Sequence, residues 1–193
     1  MPSGLMNHSA TMMRVEDLNS WKTALMLATD PDNPDKQNLK ALYDNMKLDN
    51  HLGSVIETRI SKTQQSPFKL EHKTSKERNE DAETLFKTLW FQEFIKIVLE
   101  SKFEGTKLIE LFQTDEEGKL SEITEIQQSH FNPKKGIILK EPGQPTGTDY
   151  KNGNLSNYYI QIGKDYKDLG TFALIAPIIL AKKLGLGSWL DFI

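Results

Sequence analysis

The chain has no cysteine. That excludes disulfides, thiol nucleophiles and Cys-ligated zinc, and it fits a reducing compartment. Long apolar runs are missing too. The longest, residues 172–180, is broken by Pro177 and followed by Lys182-Lys183, far short of the roughly 20 residues a membrane span needs. Residues 1–13 are polar with scattered Met and contain no apolar signal-peptide region. The N-x-S triplets at Asn7 and Asn154 are therefore read as chance matches. Excess charge of either sign is small: 24 Lys and Arg against 27 Asp and Glu leave a net charge of −3. Nothing in that balance draws the chain as a whole to nucleic acid or to an anionic membrane.

Catalytic and metal-binding signatures are also absent. The four histidines, His8, His51, His72 and His130, include no i, i+4 pair and no H-E-x-x-H pattern, whereas a metal site needs three or four converging ligands. Nothing matches a phosphate-binding G-x-x-x-x-G-K-[ST] loop or a G-x-S-x-G nucleophile elbow. Gly185-Leu186-Gly187 follows a helical pattern instead of a strand and reads as helix termination. The acidic pairs Glu80-Asp81 and Glu116-Glu117 fall on a polar helix face and in a turn, where solvated charge is the default. The basic doublets are Lys134-Lys135 and Lys182-Lys183, too few and too dispersed for a sequence-reading DNA binder. Trp21, Trp90 and Trp189 each sit in a helical apolar pattern, as core residues do. The expectation is no enzyme: no catalytic residue, no cofactor site and no metal site.

The pattern that is present alternates helices and strands. Residues 1–14 read as a flexible arm and residues 15–193 as the folded portion. A helix is expected over residues 15–28, with Trp21, Leu25 and Ala28 on one face, stopped by Asp30-Pro31-Asp32-Asn33-Pro34. Leu39, Leu42, Tyr43, Met46, Leu52, Val55, Ile56 and Ile60 recur at helical spacing over residues 35–63, with a kink or new cap at Asp49-Asn50. Ser66-Pro67 ends that stretch, and residues 68–71 alternate as a short strand would. Ser75 is expected to open a helix with Ala82, Leu85, Phe86, Leu89, Phe94, Ile97 and Val98 as its apolar stripe, closed by Gly105. Residues 106–113 and 119–126 read as strands joined in a hairpin by Asp115-Glu116-Glu117-Gly118. Extended pieces follow at residues 136–140 and 158–162, on either side of a loop at 141–157. The pattern finishes with an apolar helix at 169–184, the Gly-Leu-Gly linker, and a helix start capped by Ser188. A chain that stops at Ile193, on a freshly opened apolar turn, reads as cut short. The expected class is α+β, helices flanking a small mixed or antiparallel sheet. Its core is expected to include Leu85, Phe86, Leu89, Phe94, Ile97, Val98, Leu108, Ile109, Leu111, Ile123 and Ile126.

The order of these segments is informative. An arm helix and an acidic, Pro-containing linker run from Trp21 to Pro34. Then come Leu39-Lys40-Ala41-Leu42-Tyr43-Asp44-Asn45-Met46 and Asp49-Asn50-His51-Leu52-Gly53-Ser54-Val55-Ile56-Glu57-Thr58-Arg59, followed by a proline–aromatic step, Pro67-Phe68. A helix leads into Gly105 and a strand carrying Glu110, then the acidic glycine turn. His130-Phe131-Asn132-Pro133, Gly136-Ile137-Ile138, the apolar helix with Lys182-Lys183, and Ser188-Trp189-Leu190-Asp191-Phe192 complete the series. Over roughly residues 18–193 this series resembles the N-terminal part of Mu-type phage portal proteins. One departure is Glu104, which stands where an aromatic usually precedes the glycine.

The resemblance implies a structural subunit of the wing region. It would belong to a ring, typically of twelve copies, at one capsid vertex of a virion or prophage, assembled in the host cytoplasm. The implied partners are other copies of the chain, the terminase motor, the major capsid protein and tail or connector proteins. Double-stranded DNA would pass through the ring without sequence preference during packaging and ejection. The family continues past the point matching Ile193 into its stem and clip, so an incomplete N-terminal part is expected, with no stable ring from the isolated chain. The alternative is a non-portal interaction protein of a prophage or mobile element. A small hydrolase or nuclease is the third class, and the clustered carboxylates it needs for metal ions are not evident.

Overall fold

A computed structural model describes residues 9–163 and 165–190. Its class is α+β. Among the described residues there are six α-helices, one of which packs on a three-stranded antiparallel sheet, and a second, smaller antiparallel sheet.

Helix α1 spans Ser9–Ala28, so residues 9–14, expected in the arm, are helical; residues 1–8 lie outside the described residues. It stops where Asp30 folds back on the chain. The Asp30 carboxylate accepts from the amides of Asp32 (2.8 Å) and Asn33 (2.7 Å), a side-chain turn that competes with the helix. Helices α2 (Gln37–Lys47) and α3 (Asn50–Gln64) divide the next periodic stretch at the anticipated place. There Asp49 caps α3 by accepting from the Leu52 amide at 3.0 Å.

Two expectations fail in the following segment. Residues 68–71 form no strand; Glu71 makes a single antiparallel bridge to Arg78 within a tight loop. The helix expected from Ser75 begins only at Glu80, because residues 71–79 turn back on themselves and Asn79 supplies the cap, accepting from Ala82 at 2.9 Å. It also divides into α4 (Glu80–Phe86) and α5 (Leu89–Glu104), with Thr88 extended between them. That break turns Leu89 outward, 89% exposed, and removes it from the stripe in which it was expected. The Leu85 side chain lies outside the described residues.

Gly105 closes α5 with φ +88° and the chain enters β1 (Lys107–Thr114). Gly118, at φ +76°, completes the hairpin to β2 (Leu120–Ile126). Strand β6 (Tyr159–Ile162) joins the other side of β1, giving the order β2-β1-β6. The short strands β3 (Phe131–Asn132), β4 (Ile137–Ile138) and β5 (Thr148–Asp149) make the second sheet. The last helix, α6, runs unbroken over Gly170–Leu190. The linker expected at Gly185-Leu186-Gly187 and the new helix start at Ser188 are therefore both absent. A glycine inside a helix costs only about 1 kcal/mol relative to alanine, and the helix continues through both.

Three apolar clusters hold these parts. The largest gathers Ala24, Ala28, Leu39, Tyr43, Met46, Ile56, Ile60, Phe172, Ala176 and Leu180 from α1, α2, α3 and α6. A second joins Ile97 of α5 to Ile109 and Ile123 of the sheet, with Phe94 and Leu111 against it. The third, Leu108, Phe131 and Tyr150, covers the opposite sheet face, with Ile126 beside it. Of the expected core, Phe86 and Val98 are half-buried. Each fully buried Leu, Ile or Phe contributes about 1.5–3 kcal/mol, so the helical cluster, absent from the expected core, is a main source of stability. Helix α5 sits between layers: Leu99 and Phe103 face the helices, and Trp90, Phe94 and Ile97 face the sheet.

Candidate functional site

His51 is exposed on α3, and His72 lies on the surface with its Nε2 3.4 Å from the Asn79 amide. His130 is partly buried beside the Ser129 hydroxyl at 3.1 Å, and His8 lies outside the described residues. Among the described residues, no three His, Cys, Asp or Glu side chains converge as metal ligands. Glu80 and Asp81 are exposed on α4, and Glu116 and Glu117 in the hairpin turn, where Glu117 pairs with Lys119 at 2.6 Å. An open groove between α1 and α2 presents Asn19, Ser20, Thr23, Asn38 and Asn45, with no carboxylate, imidazole or ammonium group among the described lining residues.

The basic doublets are engaged locally. Lys134 donates to the Pro31 carbonyl and stands over the Tyr166 ring, 5.2 Å from its centre. Lys135 donates to the Pro145 carbonyl at 3.1 Å. Lys182 bridges Asp49 at 2.5 Å, and Lys183 donates to the Asn45 carbonyl at 3.4 Å. Trp21 packs against the helical cluster and Trp90 against the α5–sheet cluster, while the Trp189 side chain is outside the described residues.

The feature that residue spacing did not disclose is a buried ion cluster where α5 meets the sheet. Lys107, 1% exposed, donates to Glu104 and to Glu125, each at 2.6 Å, and lies 3.9 Å from Glu100. Lys47 of α2 makes a second ion pair with Glu104. Burial alone would push the Glu104 carboxyl up, but Lys107 and Lys47 outweigh it and hold it below its ordinary value. Burial would likewise push Lys107 down, and Glu104 and Glu125 raise it instead. Glu100 is raised, chiefly by burial and also by the neighbouring Glu104 charge, with Lys107, Lys47 and Lys96 opposing the shift. A signal for Lys107 existed: it shares strand parity with Ile109 and Leu111, so a lysine at that position points into the α5 interface. Glu104, the position that departs from the aromatic-glycine pattern, is the carboxylate this lysine requires.

Beside the cluster, side-chain and backbone hydrogen bonds tie several elements together. Gln128 donates through Nε2 to the carbonyls of Glu104 and Thr106, both at 3.0 Å, clamping the turn from α5 to β1. The Asp168 carbonyl accepts from the Thr106 amide at 3.3 Å, and Tyr43 donates to the Leu169 carbonyl at 2.6 Å. The start of α6 is thus fixed to both layers. The buried charges join α2, α5, β1 and β2, and an open pocket lined by Lys47, Ile56, Ile60, Lys96 and Glu100 lies beside them.

Several large apolar residues are exposed, Leu89, Leu48 and Met26 among them, and two further pairs lie close together. Phe112 and Tyr158 stack with ring centres 4.5 Å apart and planes within 8°, yet stay 44% and 43% exposed. On α6, Leu174 and Ile178 are 78% and 67% exposed, one helical turn apart.

The family model described as the portal protein of Mu bacteriophage matches residues 40–193. No curated protein and no solved structure matches the chain. The matched span covers well over half of the sequence and contains most of α2, all of α3 to α6 and both sheets, and on that match the chain belongs to the family of the Mu bacteriophage portal protein.

Proposed function

We propose that the chain is a structural subunit of a phage portal, the head–tail connector ring at one capsid vertex through which double-stranded DNA is packaged and ejected. The family match over residues 40–193 carries this reading. Residues 15–193 supply wing-like mass at the ring's periphery. The partners are further copies of the chain, the terminase motor, the major capsid protein and the tail or connector proteins. The protein resides in the virion, and in the host cytoplasm before assembly. The buried ion cluster and the backbone junction beside it suit a part that bears load and performs no chemistry. Among the described residues, no helix is long and apolar enough to cross a membrane.

The test uses the full gene product expressed with the terminase and capsid genes of the same phage genome. Labelling of purified particles with an antibody to this chain is expected to mark one vertex per capsid. Particles without label, or with label spread over every vertex, would overturn the proposal.

A further inference from the structure

The net charge of −3 hides an uneven distribution. The last two turns of α3 and the loop leading to α4, residues 58–79, hold six cationic side chains, Arg59, Lys62, Lys69, Lys73, Lys76 and Arg78. Their only carboxylates are Glu71 and Glu77, so the segment carries +4 and leaves −7 for the rest of the chain. All six cations are exposed. Arg78 is engaged by Glu83 and Glu80. Among the described residues, none of the other five makes an ion pair. Grouped lysines elsewhere are occupied: Lys134, Lys135 and Lys151 donate to backbone carbonyls, and Lys182 bridges Asp49.

The loop is braced, although none of residues 71–79 belongs to an apolar cluster. At its base Arg78 donates to Glu83 through Nε at 2.9 Å and Nη2 at 2.7 Å. The same carboxylate, 1% exposed, accepts from the Leu70 amide at 3.0 Å. The Asn79 amide donates to the Leu70 carbonyl at 2.7 Å and the His72 amide to the Glu77 carbonyl at 2.9 Å. The chain therefore doubles back and puts Lys73 and Lys76 at its tip. Lys76 stands at φ +61°, which disfavours any residue with a Cβ. Below the tip, Lys69, Arg78 and Lys87 share one open hollow with Gln64, Ser66 and Gln92. The end of α3, the loop and the α4–α5 junction thus form one cationic surface, held in place before any partner arrives.

The side-chain types select the partner. Among the described residues, no large apolar side chain of residues 58–79 is exposed, whereas protein interfaces centre on aromatic and apolar anchors and are depleted in lysine. Hydroxyl and amide groups stand between the cations instead: Thr58, Ser61, Gln65, Ser66, Thr74 and Ser75 are all exposed. Lys, Arg, Ser, Thr and Gln are the residue types that contact phosphate oxygens, and such contacts carry no sequence information. We infer that residues 58–79 are the surface through which this chain touches the phosphate backbone of double-stranded DNA. The inference rests on the portal reading above and adds which residues meet the duplex. The loop tip, with Lys73 and Lys76, and the end of α3, with Arg59 and Lys62, are separate points of contact. Each takes about one phosphate, so the affinity is modest and falls with salt.

The test titrates the full gene product against a labelled duplex at several salt concentrations. Lys73→Gln with Lys76→Gln is expected to weaken binding about tenfold near 50 mM salt and to flatten the plot of log K against log salt by about 1. Arg59→Gln with Lys62→Gln should do the same. Lys102→Gln with Lys140→Gln removes equal charge from exposed positions elsewhere and should change the affinity by less than about twofold. All these side chains are exposed, and unchanged thermal melts confirm that each variant is folded. Equal losses from the three pairs would mean that net charge alone governs binding, and would overturn the inference. A parent chain that binds no duplex at low salt would overturn it too. So would displacement of the duplex by polyglutamate as readily as by unlabelled duplex, the behaviour of a surface made for an acidic protein. Each of these outcomes leaves the portal reading standing, because vertex labelling tests that separately. Unlabelled particles would overturn the portal reading whichever way the titrations fall.

Discussion

The backbone of Gly105 passes so close to Asp168 that a Cβ built on the glycine would lie 2.2 Å from the Asp168 carbonyl oxygen. The same residue sits at φ +88°. Its lack of a side chain therefore serves two purposes, ending α5 and letting the start of α6 approach. Gly105→Ala is expected to lose about 3 kcal/mol or more, from left-handed strain together with overlap against backbone that has no room to move. Gly118→Ala is the control. It has φ +76° but nothing within 4 Å of the added atom, so it should cost about 1 kcal/mol. Urea titrations of both variants measure the difference, and equal losses would show that the Gly105–Asp168 approach is unimportant.

Removing one partner of the buried ion cluster should cost more than removing the pair. Glu104→Gln leaves Lys107 buried with reduced compensation and is expected to destabilise by about 3 kcal/mol. Glu104→Leu combined with Lys107→Leu should lose clearly less than the sum of the single changes, which a double-mutant cycle reads directly. The sign with pH follows from the depressed Glu104 carboxyl. Its stabilisation is complete above the ordinary value of 4.5 and disappears as pH falls through the lower folded value. Acid titration of the Glu104→Gln variant should therefore show a shallower loss below pH 4.5 than the parent protein.

Much of the fold was legible because its signals are local. Asp49 could be read as a new helix cap from residue type alone, and it is one. Gly105 and the Asp115–Gly118 turn were legible for the same reason: a backbone that demands a positive φ selects glycine. Leu89 was not legible, since a regular stripe does not announce that Thr88 interrupts the helix one residue earlier. Gly185 and Gly187 misled in the other direction, because a glycine pair marks a weak point without forcing a stop. The Glu104–Lys107–Glu125 cluster joins α5 to two strands. Only the β1–β2 register, which sets Ile109 opposite Glu125, brings that carboxylate near Lys107.

Lys36 should be a net liability. It is 2% exposed and donates to the Asp168 carbonyl at 3.5 Å; burial pushes it down to about 8, with Asp168 and Asp165 opposing the shift. A folded value below the unfolded 10.5 means the unfolded chain binds more protons between about pH 8 and 10.5. Stability attributable to this group therefore rises with pH across that window. Lys36→Met is expected to stabilise the protein at pH 7 by about 1–3 kcal/mol and to abolish that rise. Thermal melts at pH 7 and pH 10 test both parts. A lower melting temperature for the variant at pH 7 would show that the ammonium is better satisfied than its surroundings imply.

Binding to duplex DNA should be weak and indifferent to sequence. Affinity for duplex comes chiefly from phosphate neutralisation, with about one counterion released per contact. The chain carries 24 basic side chains against 27 acidic ones. Its doublets are already committed: Lys134 donates to the Pro31 carbonyl of the α1–α2 loop, Lys135 to the Pro145 carbonyl, and Lys182 bridges Asp49. Breaking those contacts offsets part of any gain from phosphate. On the portal reading proposed above, contacts that do not hold one sequence would also serve the passage of DNA better. In a mobility-shift titration, two unrelated duplexes should bind alike at low salt, with complexes lost near physiological ionic strength. A plot of log K against log salt should have a slope of about −2 or shallower. Nanomolar binding that prefers one sequence and persists at roughly 0.2 M salt would identify a DNA-recognition module instead of a conduit subunit.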